Sequence, residues 1–328
     1  MTSRARIALI ATGGTIDALG VDRLDLAFYT ETRRRLDDGE MLRSIGELAS
    51  VADVTEIGYE RRPSYELTPT DWLRLSRTIQ QILDDGYDGV VVTHGTNTLE
   101  ETAFFLDLTV NSRRPVVVTG AMRPANALGS DGALNLFNAV RVAASAQAGD
   151  IGCLVLLNDT IHSARQVTKS STFRVDAFRS PDAGPLGYAD ADGCVQLYQR
   201  PAPRPRFDVC ALESLPRVDV ILSYLGADGT LIDASVAAGA RGIVSAGTGA
   251  GRATREEDEA LDRAIAQGII VCQASRVGAG RVARSPAMAR RGVVAAGNLQ
   301  PWKARILLAL SLGETRDPDS VQELFDSC

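Results

Sequence analysis

Short apolar runs recur along the chain, each followed by a polar loop and then by a stretch with helical spacing. The runs at 7–11, 90–92, 115–119 and 153–157 are brief, mostly β-branched and apolar without alternation, as strands buried on both faces are. Residues 54–59 predict a further strand. Between them, residues 70–85 carry Trp72, Leu75, Ile79 and Leu83 at helical spacing, and 33–48 and 131–146 also predict helices. Residues 17–30 alternate instead. Leu24, Leu26 and Phe28 fall on one side and Asp25, Ala27 and Tyr29 on the other, which predicts a short hairpin. Strands alternating with helices predict an α/β fold whose mainly parallel sheet is doubly wound. Ligands bind such sheets beyond the carboxyl ends of the strands, where this chain repeatedly places Thr, Gly or Asn. A polar loop, 158–172, follows the fourth strand. The proline-rich stretch 201–216 predicts a linker between a large N-terminal domain, 1–200, and a smaller C-terminal α/β domain, 217–328. In the latter, strands are predicted at 218–224, 242–245, 269–272 and 292–296, with a last helix at 304–312.

The stretch Thr93-His94-Gly95-Thr96-Asn97-Thr98 joins one of these buried strands to a helix. Thr98 and Glu101 have the spacing of a capping box, and Ala103, Phe104, Leu106, Leu108 and Val110 predict the buried side of that helix. Hydroxyls and backbone N–H groups are thereby held at a helix N-terminus, where developing negative charge is favoured.

Composition narrows the chemistry. The 328 residues carry a formal net charge of −6, and short arginine runs such as 33–35 are interspersed with acids, which argues against nucleic-acid binding. No apolar run reaches the roughly 18 residues of a membrane span, and Met1 to Arg6 enters a strand without a signal peptide's apolar region, so the expected location is cytoplasmic. Five cysteines without a CxxC pair predict neither a disulfide framework nor a zinc site. His94 and His162 are the two histidines, too few for a histidine-rich metal centre. Neither GxGxxG nor GK[ST] is present, so no nucleotide cofactor is expected. Lys169 and Lys303 are the two lysines among 35 basic residues. An amine can lose its proton where a guanidinium cannot, so Lys169, in a polar loop, is a candidate proton acceptor.

Taken together, ATGGT at 11–15, THGTNTLEETAFFLDLTV at 93–110, RPVVVTGAMRP at 114–124, NDTIHSARQVTKSST at 158–172 and GPLGY at 184–188 resemble the bacterial-type L-asparaginase family over nearly the whole chain. The resemblance implies cleavage of a small amide, with no cofactor, by a threonine nucleophile through an acyl-enzyme. It places the nucleophile at Thr12, its tyrosine helper at Tyr29 on a mobile loop, and the second cluster at Thr96 and Lys169. It implies an oxyanion near the Thr96 N–H, Ala121 lining the leaving amide, and Ser64 at the substrate α-carboxylate, with Tyr65, Gly95 and Asn97 also in the substrate site. It further implies a homotetramer, a dimer of dimers, with sites completed by a neighbouring subunit.

Three positions depart from that pattern. Asn97 stands where the family has aspartate, and Tyr65 follows Ser64 where it has glutamine. The stretches that a neighbouring subunit would bring hold Arg252, Arg284 and Arg290 and lack the family's glutamate. Recognition of a substrate ammonium is therefore open. Alternatives are an amidase for an amide lacking a free α-ammonium and a binding or regulatory homologue with weakened catalysis.

Overall fold

The computed structural model describes residues 4–328; the first three residues, on which the reading of the N-terminus partly rests, lie outside them. The chain divides into two compact units, the first ending at Ala202 and the second beginning at Pro203.

The first unit is built on an eight-stranded sheet. Its parallel part consists of β1 (Ala5–Ala11), β2 (Ala52–Ile57), β3 (Gly89–Thr93), β4 (Val116–Thr119) and β5 (Cys153–Leu157). The loop predicted at 158–172 contains two short strands, β6 (Thr160–Ser163) and β7 (Thr168–Lys169). β6 extends the sheet antiparallel to β5. The strand β8 (Phe178–Arg179) pairs with β7, while β9 (Gly187–Ala189) and β10 (Val195–Leu197) complete the antiparallel edge. The resulting order is β10-β9-β6-β5-β4-β3-β1-β2.

Side chains along each central strand alternate between two cores. Ile7, Leu9, Val91, Val117 and Leu154 share one, and Ala8, Ile10, Val90, Val92, Val116 and Val155 the other. Burial on both faces explains why these runs are apolar without alternation. The helices of this unit are α1 (Glu40–Ser44), α2 (Pro69–Asp84), α3 (Leu99–Thr109) and α4 (Gly132–Ala143). In α2 the predicted Trp72, Leu75, Ile79 and Leu83 are all buried. In α3 burial goes beyond the predicted face: ten of its residues are buried, including Glu100 and Asp107. Asp107 accepts the Cys153 N–H at 2.7 Å and so docks the helix to β5. Phe104 and Phe105, each fully buried, contribute roughly 1.5–3 kcal/mol apiece to that docking.

Three local expectations are overturned. The helix predicted over 33–48 shrinks to α1 and a following turn of 3₁₀ helix, Gly46–Ser50, because Gly39, at φ 71, interrupts it and residues 33–35 leave their side chains exposed rather than building an apolar face. The hairpin predicted over 17–30 is a loop with one isolated bridge, Ala18 to Arg35, and a 3₁₀ turn at Tyr29–Thr32; its apolar residues Leu24, Leu26 and Phe28 are exposed and have no sheet to pair with. Thr98 does cap α3 by position, but its hydroxyl makes no capping bond. It donates to the carbonyl of Ser64 at 2.8 Å.

The second unit is described on its own. Residues 203–209 have no regular structure, although Phe207 and Val209 are buried. A four-stranded parallel sheet follows, in the order β11 (Val218–Leu222), β12 (Gly242–Gly247), β13 (Ile270–Ser275) and β14 (Val294–Ala295). Helices α5 (Thr230–Ala237), α6 (Arg255–Ala266), α7 (Pro286–Arg290), α8 (Pro301–Ser311) and α9 (Pro318–Ser327) accompany it.

Candidate active site

Sheet order singles out one place in the first unit. β2 is added to one side of β1 and β3 to the other, so the connections switch direction there, and the loops leaving β1 and β3 flank the crevice in which open α/β sheets bind ligands.

Leaving β1, Thr12 still behaves as a strand residue. Its N–H donates to the Thr93 carbonyl at 3.0 Å and its hydroxyl to the same oxygen at 2.9 Å, while its own carbonyl accepts from the Arg62 N–H at 3.0 Å. Two glycines at φ 96 and 115 then turn the chain. At Gly14 no side chain fits, because a Cβ would stand 2.4 Å from the Gly95 Cα. The first side chain beyond the turn is Thr15, whose Oγ1 lies 2.8 Å from the hydroxyl of Tyr29. Burial raises the Tyr29 pKa, with the hydrogen bond to Thr15 opposing and the charges of Asp131 and Asp25 adding to the rise, so the phenol keeps its proton at neutral pH.

Tyr29 belongs to the long irregular loop between β1 and α1. Backbone bonds close that loop: Leu19 N–H to the Arg34 carbonyl at 2.9 Å and Leu36 N–H to the Asp17 carbonyl at 2.8 Å. Arg61 reaches across the closure to Asp17 at 3.4 Å, to the Leu36 carbonyl at 3.0 Å, and to Asp38. Burial pushes the Asp17 carboxyl up, and Arg61 pulls it back.

The loop leaving β3 is supported from beneath. Trp72 Nε1–H can only donate, and it points at the Thr102 hydroxyl at 2.9 Å; Thr102 lies 2.9 Å from His94 Nε2, and His94 Nδ1 lies 2.8 Å from the Gly95 carbonyl. A carbonyl can only accept, so the proton inventory is forced: Nδ1 carries hydrogen, and Nε2 accepts from Thr102. His94 is fully buried and burial lowers its pKa to about 4, which keeps the ring neutral as this chain of donors requires. Gly95 must also lack a side chain, since a Cβ would lie 2.7 Å from Ser64 Oγ. Next comes Thr96, whose hydroxyl accepts from Lys169 Nζ at 2.9 Å. The Lys169 backbone N–H donates to Glu100 Oε1 at 3.0 Å, which fixes β7 against the start of α3. Burial lowers the Lys169 pKa and the nearby Glu100 charge raises it.

The two loops open on a cavity of about 410 Å³. Of the residues expected from sequence, Tyr29, Ser64, Tyr65, Gly95, Thr96 and Asn97 line it, and Lys169 joins through Thr96. Two do not fit. Thr12 is not in the lining, because its hydroxyl is spent on the Thr93 carbonyl; the hydroxyl that faces the cavity and meets Tyr29 is Thr15. Ala121 is fully buried and likewise absent from the lining. Sequence reasoning also missed Asp17, Arg33, Arg34, Arg35 and Arg62, all in the cavity wall. The signal for Thr15 was present: after a strand, paired glycines reverse the chain, so the residue beyond them is the one presented. Arg252, Arg284 and Arg290 lie in the second unit, where Arg284 is held by Asp319 at 2.6 Å.

Comparison with known proteins gives a consistent picture. The family model described as "Asparaginase, N-terminal" matches residues 6–203, and "Glutaminase/Asparaginase C-terminal domain" matches residues 217–325. The chain is 39% identical to L-asparaginase 2 of Escherichia coli, over 98% of this chain and 92% of that one. It is 36% identical to the glutaminase-asparaginase of Pseudomonas fluorescens biotype A, over 99% and 91%. A crystal structure of a probable cytoplasmic L-asparaginase from Campylobacter jejuni superposes with a TM-score of 0.92 at 39% identity, covering 99% of this chain and all of the other.

Proposed function

The chain belongs to the asparaginase family, and from that premise we propose that it is an amidohydrolase that releases ammonia from asparagine or a related small amide, without a cofactor, through an acyl-enzyme on Thr15. The observation that carries this reading is one cavity holding two hydroxyls, each with a distinct partner: Thr15 against Tyr29, and Thr96 against Lys169.

A hydroxyl attacks an amide only when a neighbour takes its proton. In the first step Thr15 Oγ1 adds to the amide carbon while its proton passes through Tyr29 toward the departing nitrogen. Tyr29, held protonated by burial, relays that proton rather than storing a negative charge. The carbonyl oxygen becomes an oxyanion beside the Thr96 and Asn97 N–H groups, which no acceptor among the described residues occupies and which precede the N-terminus of α3. The C–N bond then breaks, the nitrogen leaves with a proton as ammonia, and an ester links Thr15 to the acyl group. Lys169, shifted toward its neutral form by burial, takes a proton through Thr96 from the water that attacks this ester; the bond from the acyl carbon to Thr15 Oγ1 breaks, Thr15 regains a proton through Tyr29 from the acid product, and Lys169 loses its proton to solvent. A mere binding protein would have no use for both pairs.

The assembly proposed is a homotetramer, carried by the family resemblance and checked by light scattering, where a monomer at working concentration would refute it. The location proposed is cytoplasmic; among the described residues no helix is long and apolar enough to cross a membrane, and cell fractionation decides the point. The activity is tested by ammonia release from asparagine, glutamine and their derivatives. Wild-type turnover that vanishes in Thr15→Ala and survives in Thr12→Val is the expected result; turnover retained in Thr15→Ala would defeat the mechanism.

A further inference from the structure

The charge around the cavity is lopsided. The residues that line it include four arginines, Arg33, Arg34, Arg35 and Arg62, and two acids, Asp17 and Glu66. Part of this is internally balanced. Arg62 is held by Asp71 at 2.6 Å and Glu60 at 3.0 Å, and Asp17 is paired with Arg61. Among the lining residues that leaves Arg33, Arg34 and Arg35 against the exposed Glu66, with the charge of Arg35 also acting on Asp17. Arg35 donates to the Arg61 carbonyl at 3.2 Å. The guanidiniums of Arg33 and Arg34 have neither an ion pair nor a hydrogen bond among the described residues. Their position is set by the backbone: Arg33 is a non-glycine residue at φ 53 directly after the turn that carries Tyr29, and the Arg34 carbonyl is fixed by Leu19. The amide that follows Thr96 in the wall, Asn97, is neutral.

A concave wall of one sign focuses its field on whatever enters and attracts the opposite charge. Guanidinium forks match carboxylates in geometry as well as charge. An ammonium brought into the same space would meet arginines, with Glu66 the one lining carboxylate that has no ion pair and with Asp131 and Asp25, whose charges reach Tyr29, tied to backbone N–H groups, and would be selected against. We infer that the cavity takes small amides of net negative charge that carry no free ammonium, held at the far end from the reacting carbonyl by Arg33 and Arg34. This rests on the amidohydrolase reading above and sharpens its substrate class.

The test compares kcat/KM for asparagine, which is zwitterionic, with succinamate and N-acetylasparagine, which each carry one uncompensated negative charge. The two anionic amides should exceed asparagine by on the order of tenfold at about 20 mM salt, and the advantage should shrink at about 300 mM as the charges are screened. In an Arg33→Ala/Arg34→Ala double variant the ratio should fall toward one, through KM rather than kcat. Asparagine preferred over both anions, or a ratio that the double variant leaves unmoved, would overturn the inference. Calorimetry with succinate separates this claim from the one it rests on. If no amide is hydrolysed, yet succinate binds the wild type and the double variant weakens it about tenfold, the amidase reading fails and the anion preference stands; succinate binding equally to both would remove the preference as well.

Discussion

Behind Thr96 the support is buried and built from side chains: Trp72, Thr102 and His94 form a directed relay onto the Gly95 carbonyl, Glu100 holds the Lys169 backbone, and α3 is buried almost all round. Behind Thr15 the support is a loop whose apolar residues Leu24 and Phe28 face solvent and whose closure depends on backbone bonds and on Arg61. The first arrangement fixes the proposed proton acceptor, Lys169, where a shift of an ångström would be costly. The second brings Tyr29 and three arginines to the cavity lining, where the proposed substrate preference would be set. Loops on a rigid scaffold commonly carry function in this way. One site therefore joins a precise half to an adaptable half.

The largest effects should fall on the two proposed proton-transfer pairs, Thr15 with Tyr29 and Thr96 with Lys169. Thr15→Ala should lower kcat on the order of 10⁴ or more, while Thr12→Val, which removes a bond to a sheet carbonyl, should cost about 1 kcal/mol of stability and leave kcat within about tenfold. Equal losses in the two would erase the distinction drawn here between strand residue and nucleophile. Lys169→Met should lower kcat by about 10² to 10⁴. Because burial lowers the amine's pKa, and the neutral amine is the proposed proton acceptor, activity in the wild type should rise with pH through that lowered pKa. The rising limb should disappear in Lys169→Met; a limb that persists unchanged would assign it to another group.

His94 tests the buried half through stability rather than rate. Its pKa is lowered from 6.5 to about 4, so folding holds the neutral ring. That contribution is fully present above pH 6.5 and is lost progressively as pH falls toward 4, about 3 kcal/mol in all. His94→Leu should be less stable than the wild type at neutral pH, since it strands the Thr102 hydroxyl and the Gly95 carbonyl, and its stability should fall less steeply between pH 6.5 and 4. Parallel slopes in the two proteins would show that His94 is not the titrating group.

The same contrast governs what could be read from the chain. The central strands were legible because burial on both faces leaves an unbroken apolar signature, and Trp72, Leu75, Ile79 and Leu83 gave α2 because one face of that helix is wet. Lys169 stood out by chemistry alone, and Thr96 by its place after a buried strand. Tyr29 does line the cavity, although the hairpin expected around it is absent: alternation in sequence produces a strand only where a partner strand is available, and here Leu24 and Phe28 have none. The nucleophile was expected at Thr12, and the proposal moves it three residues on to Thr15 because the turn depends on backbone angles at Gly13 and Gly14 that composition shows only as a loop. The arginines at 33–35 were read only as a run interspersed with acids, since sequence spacing does not tell that these residues line a cavity.

The smallest predicted effect concerns the bond that links the two halves. Thr98 was expected to cap α3, and instead its hydroxyl donates to the carbonyl of Ser64, tying the turn that bears Ser64 to the loop that bears Thr96. The two roles make different demands on Thr98→Val, which keeps the side chain's shape and removes the donor. A lost cap would lower stability by about 1 kcal/mol and leave substrate affinity alone. A lost tether releases Ser64, which lines the cavity without touching either proton-transfer pair, so KM should rise about two- to tenfold while kcat stays within about twofold, the pattern of lost uniform binding. A fall in kcat at constant KM would mean instead that the bond holds Thr96 in place for the chemistry, and that the division between a precise half and an adaptable half runs through Ser64 rather than beside it.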